Sequence, residues 1–67
     1  MYACQWHNVL AGHATLVSME DLPARDREAA KRMAVALFTD EAAFRGANRI
    51  TLRDNGSDEA FWTYAGA

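Results

Sequence analysis

Sixty-seven residues suffice for a single domain spanning 1–67, and a chain this short buries only about 60% of its unfolded surface, so its core must be thin. With 51% hydrophobic and 24% charged residues it reads as globular, and a mean hydropathy of −0.25 with no apolar run near ~20 residues excludes a membrane-spanning helix. Seven basic against nine acidic residues, net −2, is not the electrostatic footprint of a general nucleic-acid or membrane binder.

The N-terminal stretch MYACQWHN has neither the basic nor the apolar region of a signal peptide. One cysteine, Cys4, can form no intramolecular disulfide, which points to a reducing cytoplasm. Residues 2–10 hold aromatic and β-branched side chains without a helical stripe, and His13 to Met19 alternates in part. Two strands joined at Ala11-Gly12 are the economical reading.

Pro23 suits a first helical turn, and residues 24–38 then read as an amphipathic helix. Ala30, Met33, Ala34, Leu37 and Phe38 form one apolar stripe, with Arg25, Arg27, Glu28, Lys31 and Arg32 off it. Asp26 falls on the apolar side by angle, so it also fits as the N-cap, with 22–25 an extended lead-in. Glu28 and Arg32 have the spacing of an ion pair. Thr39 and Asp40 read as a break before a short turn to Phe44, and Gly46 as the left-handed terminator.

Asn55-Gly56 is a strong signal for a two-residue type I′ hairpin turn. That turn would pair Arg53 with Asp58, Leu52 with Glu59, Thr51 with Ala60, Ile50 with Phe61 and Arg49 with Trp62. One face then carries Ile50, Leu52 and Phe61 toward the helix stripe. The other carries Arg49, Thr51, Arg53, Asp58, Trp62 and Tyr64 outward. The expected fold is α+β: a small antiparallel sheet in ββαββ or βαββ order with one helix on one face, and with Met33, Leu37, Ile50 and Phe61 in one core.

Catalysis has little support. No nucleophile elbow, paired-carboxylate site or glycine-rich phosphate loop is present, so the expectation is a non-enzyme without cofactor. Cys4, His7 and His13 offer three metal-ligand types where zinc usually takes four. Cys4 and His7 would also point to opposite faces of a strand, so no metal site is expected. Two surfaces remain. Arg49, Arg53, Trp62 and Tyr64 on one sheet face match both a single-stranded nucleic-acid platform and a protein hot spot, or simple cross-strand stacking. Asp54, Asp58 and Glu59 at the hairpin tip, with Asp40 and Glu41 after the helix, could imitate a phosphate backbone on a basic partner, or serve local structure and solubility. Net acidity weighs against direct nucleic-acid contact.

The order of features also resembles a known group. Ala30-Lys31-Arg32 on a helix, Phe44-Arg45-Gly46, the strand Arg49–Leu52 with Ile50, and the final Phe61–Ala65 with Tyr64 are similar to very small phage-encoded anti-CRISPR proteins that inhibit type I surveillance complexes. The resemblance runs over roughly residues 14 to 65, and it is poorest in the N-terminal strand. It implies a helix packed on an antiparallel sheet and a steric inhibitor. Such a protein would bind a Cas protein or complex in the bacterial host cytoplasm and block target-DNA recognition or nuclease recruitment, without cofactor or membrane.

Overall fold

The computed structural model describes residues 1–66. Its order is β1 (Tyr2–Leu10), β2 (His13–Leu22), α1 (Arg27–Arg45), β3 (Arg49–Asp54) and β4 (Ala60–Tyr64). The strands form one antiparallel sheet in the order β2-β1-β3-β4, with the helix on one face: an α+β fold in ββαββ order. The first turn follows the sequence reading. Ala11 and Gly12 both take positive φ, 52° and 81°, and Leu10 pairs directly with His13.

Asp26 is the N-cap of α1, its extended backbone ending the lead-in and its Oδ1 accepting from the Ala29 N–H at 2.8 Å. Pro23 therefore stands outside the helix. The break expected at Thr39-Asp40 does not occur. The Thr39 hydroxyl donates to the Val35 carbonyl one turn back, Asp40 faces solvent, and the helix runs on to Arg45. Gly46 closes it in the left-handed conformation, φ 71°. Glu28 pairs with Lys31 rather than Arg32.

The helix lays a narrow strip on the sheet. Ala30 and Ala34 are fully buried and let it approach closely, while Met33, Leu37 and Phe38 pack half-buried beside them. From the sheet come Cys4, Trp6, Leu22, Ile50 and Leu52. Of the four residues expected to fill the core, Ile50 is fully buried; Met33, Leu37 and Phe61 are only partly so. Phe44 is not a packing residue at all, being 92% exposed.

The second hairpin departs from its expected register. Only Gly56 takes positive φ, 82°, and Ser57 N–H bonds the Asp54 carbonyl, which is the pattern of a type II turn rather than type I′. Such a turn splays its flanking strands, so more chain is needed before they can pair. The Ser57 hydroxyl supplies it by bonding the backbone N–H and carbonyl of Glu59, and β4 begins only at Ala60. Arg53 then pairs with Ala60, Leu52 with Trp62, Thr51 with Thr63 and Ile50 with Tyr64. Ile50 thus meets a residue three places beyond Phe61, and an odd slip turns alternate side chains to the other face. Trp62 and Tyr64 consequently lie on the helix side, stacked on each other at 5.5 Å, with Tyr64 edge-on to Phe38 at 5.3 Å. Phe61 is the extra residue of a bulge and keeps its inward side, edge-on to Tyr2.

This packing ranks the core. Leu52→Ala should cost about 2–5 kcal/mol, and Leu37→Ala, at the half-buried margin, clearly less. Urea denaturation of both variants checks the order; an equal or reversed cost contradicts the assignment.

Candidate docking surfaces

The predicted Arg/aromatic face is not assembled. Arg49 and Arg53 alternate with the buried Ile50 and Leu52 and so lie on the uncovered face, whereas Trp62 and Tyr64 lie half-buried on the helix side of the sheet. Arg49 has no stacking partner in Trp62. Arg53 binds the backbone carbonyl of Asp58, not its carboxylate, and donates from Nε to Gln5 Oε1 at 3.2 Å.

The predicted acidic set divides in two. Asp54 closes onto Arg27 at the start of the helix, while Asp40 lies thirteen residues further along α1, roughly 20 Å at helical rise. The hydrogen bond from Arg27 holds the Asp54 carboxyl below the ordinary carboxylate range, against a smaller opposing effect of burial. Glu41 is bound by Arg45 at 2.8 Å. Asp58 and Glu59 remain at the hairpin end, both exposed, and neither carboxylate is in an ion pair among the described residues.

A polar cluster that the sequence reading missed pins the helix C-terminus. The Arg45 guanidinium sits 4.2 Å over the Trp6 ring, contacts Glu20 at 3.0 Å and Glu41 at 2.8 Å, and donates to the Ser18 hydroxyl. Trp6 Nε1 in turn donates to Glu20 at 3.0 Å. The Glu41–Arg45 spacing was the one available signal; Ser18 and Glu20 arrive only through strand pairing. All of these groups are mutually satisfied, so the cluster is structural.

Cys4, His7 and His13 are dispersed: Cys4 in the core, His7 on the opposite face, His13 at the first hairpin. No group of three metal-ligating side chains occurs among the described residues. Burial, reinforced by Glu20 and opposed by Arg45, pushes the Cys4 thiol up to about 12. The outer face also carries large exposed apolar side chains along β2, namely Leu16, Val17 and Met19. No helix is long and apolar enough to cross a membrane.

Cys4 has a measurable consequence. The unfolded chain releases the thiol proton near its ordinary pKa, about 8.5, while the folded protein retains it up to about 12. The protonated thiol thus favours folding in full below pH 8.5, and that contribution is lost as pH rises toward 12. Cys4→Ala should flatten the alkaline fall in stability, and a thiol reagent should label the native protein only as fast as it unfolds. Rapid stoichiometric labelling at pH 8 would contradict the buried placement.

Compared with protein-family models, curated proteins and solved structures, the chain shows no significant match to any.

Proposed function

We propose that this protein is a non-enzymatic inhibitor that docks on a Cas protein of a type I surveillance complex in the bacterial cytoplasm. It blocks target-DNA recognition or nuclease recruitment sterically. The order of features described above motivates the identity of the partner, and one observation carries the docking mode. At the end of the β3–β4 hairpin, Asp58 and Glu59 are exposed with carboxylates in no ion pair among the described residues, while Asp54 and Glu41 are each held by an arginine. Two unpaired carboxylates on a projecting loop of a net-acidic chain suit a Lys/Arg-lined surface built to hold a phosphate backbone. The rival reading, a nucleic-acid module with bases stacked on an Arg/aromatic face, loses its motive because the rings lie on the opposite side of the sheet from Arg49 and Arg53.

Co-expression with type I Cas complexes should give a complex that co-migrates on size exclusion, and phage should be protected in plaquing assays. Asp58→Lys with Glu59→Lys should leave the fold intact and slow association at least about tenfold at low salt, and added salt should narrow the gap. Wild-type affinity in the double variant would overturn the docking mode. No co-migration with any type I subtype, together with no phage protection, would overturn the function.

A further inference from the structure

The uncovered face carries a second, more compact arrangement on the two central strands. Gln5 and His7 of β1 stand opposite Thr51 and Arg49 of β3, so His7 and Thr51 are diagonal neighbours on one face. Arg53, further along that face, turns its Nε back onto Gln5. Two guanidinium groups therefore flank a short stretch of sheet. Within it, His7 Nε2 and Thr51 Oγ1 are shielded from solvent and have no hydrogen-bonding partner among the described residues. Buried polar atoms are seldom left unpaired, and these two, on diagonal positions with Arg49 opposite His7, leave room for a hydrogen-bonding partner from outside the chain. Arg49 takes part in no ion pair among the described residues.

We propose that this face is an oxyanion site for a phosphate dianion, free or as a terminal monoester, held by Arg49, Thr51 Oγ1, His7 Nε2 and Arg53. The donors come from two neighbouring strands, and a tetrahedral anion can accept from several of them at once. A planar carboxylate would be matched by the fork of one arginine alone. A phosphodiester backbone carries a single charge per group and is usually held with stacked bases, and this face presents no Phe, Tyr or Trp. Arg53 also donates to the backbone carbonyl of Asp58, so this face adjoins the acidic hairpin end, but the site uses neither the Asp58 nor the Glu59 carboxylate.

The charges around His7 set the expected response. From β3 it faces Arg49 and Arg53; from its own strand, neutral Gln5; from β2, Leu16, with Asp21 opposite Ala3 at the far end; β4 contributes Thr63, opposite Thr51. Burial first, then Arg49 and Arg53, hold the imidazole below its ordinary value. A bound dianion offsets both cations, so binding raises the His7 pKa and tightens as pH falls through it.

Sulfate is the probe, because it stays doubly charged across the histidine range. His7 and His13 are titrated by NMR with and without sodium sulfate, at ionic strength matched with sodium chloride. The His7 pKa should rise by about 0.5 or more while His13 stays still. Arg49→Gln and Thr51→Val should each abolish the response in protein whose amide spectrum remains folded. His7→Gln reports independently through sulfate-dependent shifts of the Thr51 amide, which should weaken severalfold. An unmoved His7, an equal movement of His13, a full response in both Arg49→Gln and Thr51→Val, or an equal effect of acetate would each overturn the site. So would saturable binding of an oligonucleotide lacking a terminal phosphate in place of sulfate.

Discussion

The placement of the helix on this sheet depends on one side chain, Trp6. Its indole is fully buried on a central strand, donates to Glu20 of the neighbouring strand, stacks against Phe38 at 6.1 Å and lies beneath Arg45 of the last helical turn. At the other end, Arg27 pairs with Asp54 and sits 4.5 Å over the Phe61 ring. The helix therefore starts over the β3–β4 side and ends over the β1–β2 side. Two arginines, each engaging a carboxylate and a ring, set that diagonal. The arrangement suits a domain whose fully buried strip on the helix is only two alanines, because cation–π and charged hydrogen bonds hold ends that apolar contact cannot.

A single helix covers a single face. The other face of the sheet has no second layer, and it is polar at its centre and apolar along β2. A long edge strand of this kind invites pairing with other chains. Here the extra residue Val17 and the acidic pair Glu20-Asp21 interrupt it. Two groups of polar side chains stand out: the exposed Asp58 and Glu59 at the β3–β4 loop, and Arg49 with the His7 and Thr51 polar atoms on the open central strands. The first carries acidic groups and the second a basic one, so the two suit different classes of contact.

Local chemistry was legible in the sequence wherever one residue decides the backbone. Ala11-Gly12, the Asp26 cap, the Gly46 terminator and the apolar stripe from Ala30 to Phe38 stand where short-range reasoning puts them, and the ββαββ order follows. The helix length was misjudged because Thr39 and Asp40 look like breakers only without their turn. In place, the Thr39 hydroxyl bonds back to Val35 and Asp40 points to water. The large residues Cys4, Trp6, Leu22 and Leu52 complete a core that periodicity on the helix alone could not enumerate.

The sequence by itself determined the order of strands and helix and the residues that cap the helix, though not every element's extent, because these rest on φ preferences and i to i+4 spacing within a few residues. Tertiary structure alone decided which face each residue of β4 joined. The turn at Asn55-Gly56 is compatible with more than one loop length, and the odd slip observed here carries Trp62 and Tyr64 across the sheet while the bulge keeps Phe61 inward. Packing Trp62 and Tyr64, both half-buried, beside Leu52, Ile50 and Phe38 favours the longer loop, since aromatic surface is then removed from water. That choice dismantled the Arg/aromatic face, left Asp58 and Glu59 out in the loop, and cleared the open face around His7, Arg49 and Thr51 of rings. Each outcome is a long-range consequence of packing, settled only when the helix and all four strands are present together.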